Sequence, residues 1–233
     1  MDSHPIVYRS DPAFESLDGL MKFRLHYEGL LYSSNGEARE GQIDRRGGHK
    51  HDIRRAFHRQ LRQFWATDIF LSNAKGGREI LKMPGQESEG PYDQRPSLAD
   101  NLAEAHNISG QRFVPLVCAE FKILCKLDIL LLRRDKPGGI IQARDIDNRL
   151  KTLFDALRMP KAGSEIGQCE FTEDEQPMYV LLQEDSLITT VTVETDELLD
   201  PPPIAGSDDG FVRMLITVDI RPYYVNMFNL AFA

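Results

Sequence analysis

Two aspartates, Asp145 and Asp147, stand two residues apart beside Arg144, Asn148 and Lys151, and a further acidic pair, Glu184 and Asp185, precedes an apolar run. Carboxylates are the hard oxygen donors that Mg²⁺ takes, a few at a time, while keeping waters for chemistry. Residues two apart on an extended segment point to one side, so both aspartates can face one ion if a strand continues as far as Asp147. A helix would separate them. With Asp147 or Asn148 as N-cap, Lys151 follows Asp147 by one turn and can reach a phosphate to stabilise its transition-state charge. A metal-dependent phosphodiesterase needs such a set. A capping Asp147 and a merely solvated Asp145 explain the pair equally well, because an Asp-x-Asp match also arises by chance.

The longer pattern carries more information. R-D-x-D-N-x-x-K-x-x-x-D-A-L from Arg144 to Leu157, followed by an acidic pair ahead of an apolar strand, resembles the RusA family of Holliday-junction resolvases. The resemblance implies that Asp145, Asp147 and Asp185 bind a catalytic Mg²⁺, with Mn²⁺ as a possible substitute, and that Lys151 is essential. Asn148, Phe154, Asp155 and Leu157 also match the motif. It further implies a small mixed α/β fold, a homodimer, and symmetric cutting of branched DNA by a metal-activated water. Family members are shorter than this chain, which assigns the surplus to an N-terminal extension over about 1–20 and insertions over about 72–111 and 159–179. The second insertion makes Glu184, or Asp174 within it, the alternative to Asp185 as third ligand.

Elements must position these residues. Leu150, Leu153, Phe154 and Leu157 recur at three- and four-residue steps, which predicts a helix carrying Lys151. Upstream, Asp52 can cap a helix whose Ile53, Phe57, Leu61 and Phe64 form an apolar stripe, with Arg55, Arg59 and Arg62 on another face. Those arginines could grip DNA phosphates, together with Arg45, Arg46 and Lys50 from a glycine-containing basic loop and Arg144 from the motif; an ordinary solvated helix face is the competing reading. His49 and His51 make a poor transition-metal site, and Phe64 and Trp65 read as core. Phe23 to Leu30, Ala119 to Leu132, Ser186 to Val193 and Phe211 to Ile220 read as strands of one mixed sheet. The expected architecture is α+β, a single domain with a small mixed sheet packed by helices. The Pro- and Gly-rich stretch from Asp200 to Gly210 is a loop, and the tail from Tyr223 to Leu230 is apolar enough for the core or a dimer interface.

Composition bounds the function. With 233 residues, 41% hydrophobic, and no run near the length of a membrane span, one globular domain with a proper core and no membrane association is expected. The N-terminus shows no secretory pattern, which makes a cytoplasmic setting the default. Cys118, Cys125 and Cys169 lack zinc-site spacing and read as free thiols. The formal net charge is −8, unfavourable for a phosphate backbone unless charge is segregated. It is segregated: Arg39 to Arg62 carries eight Lys or Arg against three acids, whereas Gly163 to Asp200 holds eleven Asp or Glu and no Lys or Arg. That acidic stretch keeps a rival open, a catalytically idle adaptor of the same fold binding a protein partner through 163–200. An enzyme acting on RNA or nucleotides is another, although no Gly-rich phosphate loop is present.

Overall fold

The computed structural model describes residues 21–32, 42–75, 91, 94–134, 143–167, 169–200, 202, 210–225, 229 and 232; within these, the side chains of 42–47 and 143–145 lie outside the description. The N-terminal extension 1–20 and most of the Asp200 to Gly210 loop fall outside it.

Strand β1 (Met21–Leu30) leads to helix α1 (Gln42–Thr67) and the short helix α2 (Ile69–Asn73). Then come α3 (Leu98–Ala105), β2 (Asn107–Ile108), β3 (Gln111–Val117), β4 (Ile123–Arg133) and α4 (Ala143–Leu157). A one-turn helix α5 (Gly163–Ile166), β5 (Met178–Leu182), β6 (Ile188–Glu197) and β7 (Phe211–Pro222) complete the described elements. This is an α+β fold with mixed strand pairing.

The four strands read from the sequence lie in one mixed sheet, as expected, but the chain also forms a second sheet from strands that the sequence reading did not single out. One has the order β1-β7-β4-β6 and the other β2-β3-β5. In the larger sheet β7 runs antiparallel to both β1 and β4, while β6 lies parallel to β4. The second sheet joins β3 in parallel to β5, so it recruits residues on both sides of β4 and α4. Both expected insertions contribute to it or pack against it. The first contains α3, whose Ser97 side chain accepts from Asp100 N, the capping that helix N-termini require. The second supplies Ile166 and Phe171, which pack with Phe113, Met178 and Val180 in a small separate core.

Period-two burial decides which face of the large sheet meets the helices. Along β4 every odd residue from Ile123 to Arg133 is buried and every even one is only partly so. On β1 the same alternation buries Met21, Leu25 and Tyr27, with Phe23 stacked on Phe64 of α1 at 4.2 Å. Ile53, Phe57, Leu61 and Trp65 form the buried stripe of α1, as their spacing predicts. On the edge of β1 that meets no strand among the described residues, Gln60 of α1 bonds the backbone N and O of His26, satisfying part of that sheet edge.

Two helix starts differ from expectation. Helix α1 begins at Gln42, so the basic segment from Arg45 to His51 is helical and Asp52 is an interior residue rather than a cap. Tertiary bonds hold this part of the helix despite its glycines: His49 Nε2 accepts from Tyr32 N at 3.2 Å, and Lys50 reaches Asp155. Helix α4 begins at Ala143, ahead of the acidic pair. The tail contributes Phe232 and Asn229 to the interior, Asn229 donating to Phe121 O and Tyr224 O, while Tyr223, Tyr224 and Val225 stay exposed.

Candidate functional site

Because α4 starts at Ala143, Asp145 and Asp147 both ride on a helix, where side chains two apart diverge by about 200°. The extended geometry that would aim both at one ion does not occur, and neither Asp147 nor Asn148 caps the helix. What the helix does produce is the placement of Asp147 and Lys151 one turn apart on its outward side. Both are exposed, and neither side chain takes part in a hydrogen bond or ion pair among the described residues. The opposite side of α4 buries Leu153, Ala156 and Leu157. Asp145 and Arg144 belong to the same helix, with side chains outside the description.

The last turn of α4 and the residue just beyond it are charged too, but there Asp155 and Arg158 are both used. Asp155 Oδ2 accepts from Lys50 Nζ at 2.6 Å and its Oδ1 from Arg158 Nη2 at 2.7 Å. Arg158 continues to Glu165 Oε2 at 2.8 Å, and buried Arg54 donates to the carbonyls of Asp155 and Arg158. Burial alone would raise the Asp155 carboxyl, yet Lys50 and Arg158 hold it below the usual value. Burial, with Arg158 close by, pulls the Arg54 guanidinium down to about 10. Asp155, a motif position, is thus a structural tie between α1 and α4.

Asp185 opens a short 3-10 turn ahead of β6 and is exposed. Its described partner is Lys161, 3.7 Å away, and Met159 N bonds Leu182 O just upstream. Asp185 is therefore tied to residues past the C-terminal end of α4, whereas Asp147 lies eleven residues before Arg158, about 16 Å along the axis. Glu184, the alternative ligand, accepts from Ser186. Among the described residues no group of three or more His, Cys, Asp or Glu could hold a metal ion; the Asp145 side chain is outside that set.

The arginine face of α1 meets the acidic insertion. Arg55 hydrogen-bonds Glu175 and donates to Glu170 O at 3.1 Å, with Asp52 3.4 Å away. Arg62 pairs with Asp174 at 3.2 Å. Arg59 is exposed and has no partner among the described residues; it lines a cleft of about 530 Å³ shared with Arg62, Gln63 and Thr172. Buried His58 donates through Nε2 to Asp174 O at 3.0 Å and accepts from Tyr179 N at 2.9 Å. Buried His51 lies 3.7 Å from Glu175 and against Phe171. Burial lowers the pKa of both histidines.

Glu175 is the residue that sequence reasoning missed. It is 3% exposed, its Oε2 accepts from Thr172 N at 3.0 Å, and Arg55 holds its carboxyl below the usual value although burial alone would raise it. Thr172 and Glu175 form a capping box, and the T-x-x-E spacing that announces one is legible in the sequence. Arg45 and Arg46 lie on α1 with side chains outside the description.

No protein-family model, curated protein or solved structure matches this chain. Function therefore has to be argued from these residues. Among the described residues no helix is long and apolar enough to cross a membrane, and Cys118, Cys125 and Cys169 are free thiols.

Proposed function

We propose that this chain is a metal-dependent endodeoxyribonuclease that cuts branched DNA, as its RusA-like motif implies. The observation that carries the reading is the pair Asp147 and Lys151. An acid and a base four apart on a helix commonly meet, yet neither side chain has a partner among the described residues, while Asp155 and Arg158 of the same segment are neutralised. A chain that uses so many charges internally leaves these two available.

The donor chemistry suits Mg²⁺, with Mn²⁺ as substitute, since a hard cation is held through one or two carboxylates and keeps its waters. Asp147 would hold it, and the resemblance adds Asp145 and Asp185 as further ligands. The helix turns Asp145 away from Asp147, and Asp185 is tied to Lys161 beyond the far end of α4, so this arrangement does not bring the three carboxylates to one ion. When bound, the ion lowers the pKa of a coordinated water toward neutrality. Lys151 sets a positive charge beside the carboxylate, where it can bind a phosphate oxygen and offset the charge that develops in the transition state. With Lys50, Arg55 and Arg62 engaged inside the protein, backbone contacts fall to Arg59, Arg45, Arg46 and Arg144. Symmetric cutting of a four-way junction calls for two copies of the site related by a two-fold axis.

The internal use of Lys50, Arg55, Arg62 and Asp185 favours a second reading, an idle adaptor of this fold that binds a protein through 163–200. Incubation of the purified chain with a labelled four-way junction, matched duplex and single strand, in Mg²⁺, Mn²⁺ or EDTA, separates the two. The nuclease reading expects metal-dependent paired nicks in the junction. Equal cutting of all three substrates would make it a general nuclease, and no cutting at low salt would leave the adaptor.

A further inference from the structure

The face of the large sheet turned away from the helices has no covering element among the described residues. It consists of the even residues of β1, β4 and β6 and of Arg213, Leu215 and Thr217 of β7, brought side by side by the register Arg24↔Thr217, His26↔Leu215, Leu130↔Leu215 and Leu130↔Glu194. Its centre is apolar: Leu215 is 39% exposed, Leu130 and Leu132 are partly exposed, and the three line a shallow depression of about 200 Å³.

Charge on this face is arranged by corner. At the start of β1, one outer strand, Lys22 and Arg24 are exposed and have no partner among the described residues. Near the end of β6, the other outer strand, Glu194 and Asp196 are exposed and meet no cation among the described residues. The register puts these corners diagonally opposite, with Leu215 and Leu130 between them. Charges nearer the middle are already matched within the face, Arg213 with Glu28 and Lys126 with Asp128.

We infer that this open face is the contact between two copies of the chain, related by a two-fold axis lying in the plane of the face. Such an axis along the other diagonal sets Lys22 and Arg24 over the partner's Glu194 and Asp196, repeats that match at the opposite corner, and stacks the leucines near the axis. An isologous contact requires this kind of self-complementarity, and opposed charge corners fix its register while the apolar centre supplies the burial. The inference rests on the two-fold dimer that the nuclease reading calls for and assigns its contact; no residue of the face belongs to the nuclease site, so variants of the face test the contact without touching that site.

Sedimentation equilibrium of the full chain and of two charge-reversed variants, K22E/R24E and E194K/D196K, tests it. Wild type should be a dimer. Each variant should weaken self-association at least about tenfold, with an unchanged circular dichroism spectrum because the altered side chains are exposed. Mixing the two variants should restore a one-to-one heterodimer, since both corners then carry opposite charges. A monomeric wild type, variants that dimerise as well as wild type, or variants that stay monomeric when mixed would each overturn the inference.

Discussion

Lys50 of α1 and Asp155 of α4 meet at 2.6 Å, and this ion pair joins the two helices on which the proposed chemistry depends. Asp155 belongs to the motif, but its oxygens are taken by Lys50 and Arg158 and its backbone carbonyl by Arg54. Asp155→Asn should therefore lower unfolding free energy by about 2 kcal/mol, the scale of charged hydrogen bonds left half-made. Denaturant melts measure this. Cleavage per folded molecule should stay near wild type; a stable but inactive variant would return Asp155 to the catalytic set.

Asp174 occupies Arg62 at the surface, where the side chains are 52% and 86% exposed for Arg62 and Asp174. An exposed pair of this kind contributes little, so Asp174→Lys should leave stability within about 0.5 kcal/mol of wild type. It releases Arg62 and adds a cation beside Arg59. Duplex affinity at low salt should rise about threefold or more, with the slope of log K against log salt steeper by about 1. Unchanged affinity and slope would remove the arginine face of α1 from the DNA contact.

Protonation of His58 would cost it the acceptor for Tyr179 N. Burial keeps its folded pKa, and that of His51, below the ordinary value of 6.5. The unfolded chain then binds the proton more readily, so this stabilisation is complete above about pH 6.5 and is lost as pH falls toward the folded values. Urea melts should show stability dropping between about pH 6.5 and 5, and His58→Gln should flatten part of that slope. A level profile over this interval would show that neither histidine is held neutral by the fold.

The three thiols should differ in reactivity. Cys118 is fully buried and pushed well above the usual thiol value by burial, and Cys125 is pushed up to about 12 by the same cause. Cys169 is partly exposed and raised less. The thiolate is the nucleophile, so a disulfide reagent should titrate Cys169 alone in the native protein and all three cysteines in denaturant. Rapid native release from two or more sites would contradict the packing of β4 and the residues before it.

Much of the scaffold was legible because periodicity and strand propensity report structure: the Ile53, Phe57, Leu61 stripe and the core role of Trp65 follow from spacing, and the strands of the larger sheet from their β-rich runs. Helix starts were not, since Gly47 and Gly48 argue for a loop while bonds from His49 and Lys50 to distant residues hold a helix. The second sheet escaped notice because β3 carries Pro115, a residue strands disfavour, and because β5 lies beyond an irregular stretch that reads as insertion. At the site, the i,i+4 placement of Asp147 and Lys151 was readable, being local. The pairing of Asp185 with Lys161, and of Arg55 and Arg62 with Glu175 and Asp174, was not, since nothing in a sequence period encodes contacts between segments so far apart.

The most direct test of the central claim is cleavage of a labelled four-way junction in Mg²⁺ by wild type, Asp147→Asn and Lys151→Ala, with junction binding measured in parallel without metal. The account predicts that Asp147→Asn loses cleavage by at least about a hundredfold, and Lys151→Ala by about tenfold or more, with binding within about twofold of wild type. Cleavage by Asp147→Asn at the wild-type rate would contradict it and remove α4 as the seat of the chemistry.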